Sequence, residues 1–90
     1  MNLRTVILAF LSARYPAAYA EPAVLARINR CGLLDDPATA AQVNAELITL
    51  AGPKFHYVDI VPDHTTGDAY WSATDAGVRQ WNLDGRILVK

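Results

Sequence analysis

The sequence predicts a small α+β domain, in which a three-helix bundle is followed by a two-stranded β-hairpin and a C-terminal helix. Apolar residues recur at the spacing of helices over the first 52 residues, and from residue 55 to residue 73 they follow the two-residue period of strands. Segments rich in Gly, Pro and Asp separate these stretches and predict turns. Ninety residues suffice for one hydrophobic core, so we expect a single domain over residues 1–90.

The first helix is predicted over about residues 2–14. Asn2 is of the type that caps a helix N-terminus, and the Tyr15-Pro16 pair disfavours continuation of the helix. The apolar residues that share one face of this helix are Leu3, Val6, Ile7, Phe10 and Leu11.

The second helix is predicted over about residues 22–31. Pro22 is tolerated in a first helical turn, and Gly32 supplies a stop signal. Cys31 is expected to be a small buried residue near the end of this helix.

The third helix is predicted over about residues 37–51. Asp35 and Asp36 would cap it, and Pro37 would occupy its first position. The spacing turns the residues Val43, Leu47 and Leu50 inward.

A hairpin is predicted over about residues 55–73, followed by a helix over about residues 74–83. The turn lies at residues 62–68, and the second strand places Trp71 and Ala73 on one side. Thr74 would cap the last helix, and Gly77 would let that helix lie close against its neighbours.

One motif resembles a known family. The strand-to-helix junction of small winged-helix regulators, where an aromatic-rich strand runs into Thr-x-x-Gly, is similar to the run Tyr70-Trp71-Ser72-Ala73-Thr74-Asp75-Ala76-Gly77. The order of elements also resembles the winged-helix branch of helix-turn-helix proteins. This resemblance implies that helices two and three form the helix-turn-helix, that helix three is the recognition helix, and that the turn at residues 62–68 is the wing.

The charge pattern departs from that of a DNA-binding protein. Eight Lys and Arg residues stand against nine Asp and Glu residues, and neither residues 35–52 nor residues 62–68 contain Lys or Arg. Phosphate neutralisation dominates nucleic-acid affinity. Two functions therefore stay open: a DNA-binding or transcription-associated regulator, and a winged-helix module for protein–protein interaction or dimerisation without DNA binding.

Candidate contact residues follow from these two functions. On the DNA hypothesis, basic residues hold phosphates while Thr39 and Gln42 reach base edges. The residues expected to contact DNA or a protein partner are Arg27, Arg30, Ala38, Thr39, Gln42, Ala45, Thr49, Lys54, His64, Thr65 and Thr66. The residues expected to contact a second copy are Ile48, Trp81, Ile87 and Leu88. A third interpretation, in which the alanine-rich face of helix three simply favours helix and has no partner, stays open as well.

No catalytic, metal or cofactor site is predicted. The single cysteine, Cys31, excludes an internal disulfide, and the only histidines, His56 and His64, fit no metal-binding pattern. We therefore expect a protein that is not an enzyme and that uses no cofactor.

The N-terminal segment imitates a secretory signal. Arg4 precedes an apolar run, and Ala18-Tyr19-Ala20 resembles a cleavage site. The helical spacing of the apolar residues favours instead a helix that belongs to the domain. No run approaches the roughly 18 apolar residues of a membrane span, so we expect a cytoplasmic protein without a membrane partner.

Overall fold

The computed structural model describes residues 2–63, 65 and 67–84, with side chains up to residue 82. The elements in chain order are α1 (Leu3–Ala13), β1 (Tyr19–Ala20), α2 (Glu21–Arg30), α3 (Ala40–Ala51), β2 (Val58–Pro62), β3 (Ala69–Ala73) and α4 (Asp75–Asp84). Over this part of the chain, four helices accompany a three-stranded antiparallel sheet with the order β1-β3-β2. The prediction of a small protein that combines helices with an antiparallel sheet is confirmed.

Helix α1 forms where its capping residue and apolar spacing predict. The Asn2 side chain accepts a hydrogen bond from the Thr5 backbone N–H at 2.8 Å, which satisfies one free donor of the first turn. Val6, Ile7 and Leu11 are buried. Helices α2 and α4 likewise lie close to their predicted bounds.

The predicted start of α3 is wrong. The helix begins at Ala40 rather than at Pro37, and Thr39 caps it instead of the two aspartates. Thr39 Oγ1 accepts from the Gln42 backbone N–H at 3.2 Å, and Gln42 Oε1 accepts from the Thr39 N–H at 2.9 Å. This reciprocal pair satisfies two backbone donors, so it fixes the first turn more firmly than an isolated Asp would.

Asn29 explains why the helix cannot start earlier. Its side-chain amide donates to the Ala38 carbonyl at 3.1 Å and accepts from the Ala38 N–H at 2.8 Å. Both backbone groups of Ala38 are therefore bound to α2 and not to a helical turn of α3.

Strand β1 is absent from the sequence prediction. It pairs with β3 in antiparallel register, with Tyr19 opposite Trp71 and Ala20 opposite Tyr70. The sheet therefore has three strands where the sequence predicted two. Two residues carry no alternating pattern, so this strand exists only because β3 lies beside it.

Strand β2 begins at Val58, which corrects the predicted start at Phe55. The backbone N–H groups of Phe55 and His56 both donate to the Gly52 carbonyl, at 3.2 and 2.9 Å, and His56 has a φ of 50°. These residues form a turn after α3. Strand β2 then lies at one edge of the described sheet.

The core lies between the helices and the sheet. Its buried apolar residues are Val6, Ile7, Leu11, Val24, Ile28, Val43, Leu47, Leu50, Val58, Trp71 and Ala73. The predicted inward face of α3 is confirmed. The expected burial of Cys31 is wrong: the residue is exposed, and its thiol donates to the Ile28 carbonyl at 3.0 Å.

The junction between β3 and α4 is closed by Thr74. Its backbone N–H donates to the Tyr57 carbonyl at 2.9 Å, and its hydroxyl donates to the His56 carbonyl at 2.8 Å. The same hydroxyl oxygen accepts from the Gly77 N–H at 3.0 Å, as a helix cap does. The predicted roles of Thr74 and Gly77 at this junction are confirmed.

A hydrogen bond between side chains joins the segment after α1 to the start of α4. The Tyr15 hydroxyl donates to Asp75 Oδ1, and this hydrogen bond, with the negative charge of the carboxylate, raises the pKa of Tyr15 above its usual value near 10. The raised pKa means that the folded protein favours the neutral phenol. The hydrogen bond between Tyr15 and Asp75 therefore stabilises the fold below a pH of about 10, and this stabilisation is lost as the pH rises through the raised pKa.

Candidate functional site

Four residues on the outward side of α3 form an uncharged exposed surface, which we call the α3 face: Ala41, Ala45, Ile48 and Thr49. Ile48 has 56% of its surface exposed, more than any other large apolar residue of the described chain. Thr49 turns its hydroxyl inward along the helix and donates to the Ala45 carbonyl at 2.9 Å. The α3 face is therefore mostly methyl and methylene surface.

The groove between α3 and the hairpin is acidic. A cavity of about 310 Å³ there is bordered by Glu21 of α2, Asn44 of α3, and Asp68 and Trp71 of the hairpin. Asn44 donates to Glu21 Oε1 at 2.7 Å. None of the described residues that line this groove is Lys or Arg, so the groove beside Asn44 presents the carboxylates of α2 and of the hairpin.

The opposite flank of α3 carries a paired charge. Arg4 of α1 donates from Nε to Glu46 Oε2 at 2.7 Å. The Arg4 guanidinium also lies 5.4 Å from the centre of the Phe55 ring, and Lys54 Nζ lies 5.4 Å from the same ring. Lys54, a predicted phosphate contact, therefore lies beyond the C-terminal end of α3 beside an aromatic side chain.

The structure separates the predicted DNA-contact residues. Ala45 and Thr49 lie on the α3 face, but Thr39 and Gln42 are engaged in capping each other's backbone. Ala38 precedes the helix and is half-buried against Asn29.

The remaining candidates divide between the hairpin turn and the end of the chain. Thr65 is exposed in the turn, where its N–H donates to Asp63 Oδ1 at 2.9 Å. Trp81 is half-buried on α4. The other predicted contact residues, His64, Thr66, Ile87 and Leu88, lie outside the described residues.

Arg27 and Arg30 lie on a different surface, beside α1. A pocket of about 410 Å³ opens between α1 and α2, and its apolar lining includes Val6, Phe10 and Ile28. We call it the arginine pocket, because its lining also includes Arg14, Arg27 and Arg30. Sequence reasoning placed Arg27 and Arg30 on one helix face but missed Arg14, whose approach to them depends on the packing of α1 against α2.

Two aromatic rings position two of the three arginines of this pocket. The Arg14 guanidinium lies 4.3 Å from the centre of the Phe10 ring, and the Arg27 guanidinium lies 5.8 Å from that of Tyr19. The two rings are themselves in contact, with centres 5.2 Å apart. Arg14 Nη1 also donates to the Phe10 carbonyl at 3.4 Å. Cation–π contacts of this kind hold a guanidinium over the ring and leave its other N–H groups available.

The described residues include no group of three or more His, Cys, Asp or Glu side chains placed to bind a metal ion. His56 Nε2 lies 2.9 Å from Asp59 Oδ1 on the exposed surface. No described helix combines the length and the apolar character needed to cross a bilayer.

Comparisons of the chain with protein-family models, with curated proteins and with solved structures found no match.

Proposed function

We propose that this chain is a winged-helix protein that works as a protein-interaction module and associates with a second copy of itself through the α3 face. The order α1, β1, α2, α3, β2, β3 and the sheet order β1-β3-β2 are compatible with a winged helix. In the winged-helix arrangement that we propose, α3 is the recognition helix and the β2–β3 hairpin is the wing.

The exposed apolar surface of the α3 face carries the proposal. Ile48 is more than half exposed, and burial of apolar area is the dominant favourable contribution to most protein–protein association. Ala41 and Ala45 are one helical turn apart, so a second helix can approach the backbone closely there. A nearly uncharged face is also the kind of surface that loses little hydration when it is covered.

The charges at the two ends of α3 favour a second copy in antiparallel orientation. Asp35 and Asp36 precede α3, and Lys54 follows it. An antiparallel pair of α3 helices brings the acidic end of one copy near Lys54 of the other, whereas a parallel pair places like charges together. The helix dipoles are also opposed in the antiparallel pair, which favours it further.

Sedimentation velocity between about 10 µM and about 1 mM, the range expected for a small interface, tests self-association. We expect the sedimentation coefficient of the wild type to rise with concentration. Ile48→Asp places a charge in the contact and should stay monomeric throughout. Ala26→Asp is the matched control, because it adds the same charge at an exposed position of α2 and should behave as the wild type does.

A wild-type protein that stays monomeric at the highest concentration would contradict the proposal. So would association that Ile48→Asp leaves unchanged.

DNA binding is the second candidate, favoured by the placement of the exposed α3 beside a hairpin. The charges oppose it. Glu21 lies in the first turn of α2, where a helix N-terminus would otherwise attract a phosphate, and Asp68 lines the same groove. We expect no measurable anisotropy change with labelled duplex DNA at about 50 mM salt, where phosphate-led binding is strongest. Binding at about 50 mM that weakens steeply by about 200 mM would favour DNA instead.

A further inference from the structure

We infer that the arginine pocket binds a small amphipathic anion, namely a carboxylate attached to an apolar chain or ring. The pocket lies between α1 and α2 and shares no residue with the α3 face. The inference therefore stands independently of the proposed self-association.

The walls of the pocket suit an apolar group. Val6 and Ile28 form buried surface at its base, Phe10 is half-buried, and Leu33 at the rim has 49% of its surface exposed. The volume of about 410 Å³ lies within the range of small-molecule sites, which are mostly apolar with a few polar groups that orient the ligand. Such walls disfavour a fully hydrated ion such as inorganic phosphate, because it gains nothing from apolar contact.

The rim of the pocket suits a negative charge. Arg14, Arg27 and Arg30 contribute three guanidinium groups, and none of the described residues that line the pocket is Asp or Glu. Within the described residues, neither Arg27 nor Arg30 forms an ion pair with a carboxylate. Among the described residues, the site therefore holds a concentration of positive charge that no carboxylate neutralises, in a chain whose net charge is −1.

The arginines are also arranged for a carboxylate. The guanidinium groups of Arg14 and Arg27 are held against the Phe10 and Tyr19 rings, so little side-chain freedom is lost when a ligand binds. A planar guanidinium matches the two oxygens of a carboxylate, and a hydrogen bond of this kind is stronger than one between neutral groups. The apolar chain of the ligand would then extend over Phe10 toward Ile28.

Titration of the full chain with octanoate, followed by two-dimensional amide NMR, tests this inference. A ligand of this size is expected to bind with a dissociation constant on the order of a millimolar, and the shifted amides should belong to α1 and α2. Octan-1-ol has the same chain without the charge and should bind about tenfold more weakly. Octylammonium, which reverses the charge, should not saturate the site.

Substitutions of the arginines distinguish binding at this site from nonspecific binding of octanoate to the protein. The double variant Arg27→Gln and Arg30→Gln should weaken octanoate binding about tenfold. Arg79→Gln is the matched control, because Arg79 is exposed on α4 and lies outside the pocket, and it should bind octanoate as the wild type does. Ala9→Leu keeps every charge but narrows the pocket, so it should weaken octanoate and octan-1-ol together.

Thermal melts show which variants remain folded, and affinities are compared only among those. The inference is overturned if octanoate produces no saturable shifts, if octan-1-ol binds equally well, or if the double variant binds as tightly as Arg79→Gln does.

Discussion

Replacement of Gly77 by alanine is expected to destabilise the protein by about 2–3 kcal/mol, although alanine is the better helix former. A Cβ atom at position 77 would lie 2.2 Å from the Tyr57 carbonyl oxygen and 3.0 Å from its carbonyl carbon. These are backbone atoms, so no flexible side chain can move aside. The loss should appear as a fall in the melting temperature of about 4–8 °C for each kcal/mol.

The Tyr57 backbone cannot easily shift to relieve this contact. Its N–H donates to the Leu50 carbonyl at 2.9 Å, and its carbonyl accepts from Thr74 at 2.9 Å. Movement of Tyr57 would therefore break its hydrogen bonds to Leu50 of α3 and to Thr74 at the start of α4. Arg79→Ala is the control, since Arg79 is exposed on the same helix and this change should alter stability by less than about 0.5 kcal/mol. A Gly77→Ala protein as stable as the wild type would show that α4 does not approach Tyr57 so closely.

Replacement of Leu47 by alanine is expected to cost about 3 kcal/mol in the free energy of unfolding. The Leu47 side chain is completely buried in the core formed by the helices and the sheet, and its truncation loses apolar burial and leaves a cavity. Chemical denaturation monitored by circular dichroism measures this loss as a lower midpoint.

The adjacent residue provides the matched control. Ile48 is 56% exposed, so Ile48→Ala, measured at a concentration where the protein is monomeric, should change the unfolding free energy by less than about 0.5 kcal/mol. Equal losses for Leu47→Ala and Ile48→Ala would contradict the orientation assigned to α3, and with it the position of the α3 face.

The parts of the fold that sequence reasoning predicts are those fixed by local chemistry. The cap at Asn2, the buried residues Leu47 and Leu50, and the junction at Thr74 depend on neighbours a few residues away. Residue types and spacing carry this information directly, so these features could be read from the chain.

The features of the fold that sequence reasoning did not predict depend on contacts between distant segments of the chain. Two capping signals compete before α3, and the sequence does not reveal that Asn29 holds Ala38, nine residues away, out of the helix. Strand β1 likewise depends on pairing with Trp71 and Tyr70, about fifty residues later. The Thr39-x-x-Gln42 pattern is a sequence signal for a capping box.

The candidate surfaces show the same division. The alanine-rich character of the α3 face and its lack of Lys and Arg follow from the sequence alone and were predicted. The arginine pocket needs Arg14 at the end of α1 to meet Arg27 and Arg30 on α2, and this meeting is a property of tertiary packing. The net charge of −1 does not indicate this pocket, because the net charge sums over the whole chain. Carboxylates elsewhere, such as Glu21 and Asp68 beside the hairpin, cancel the charge of the arginines in that sum.

A dilution series followed by amide NMR tests the proposed role of α3 most directly. If a second copy docks on the α3 face, the amides of residues 41–49 should shift between about 1 mM and about 10 µM, while those around the arginine pocket stay unchanged. Spectra that do not change with concentration, or changes confined to α1 and α2, would contradict that role.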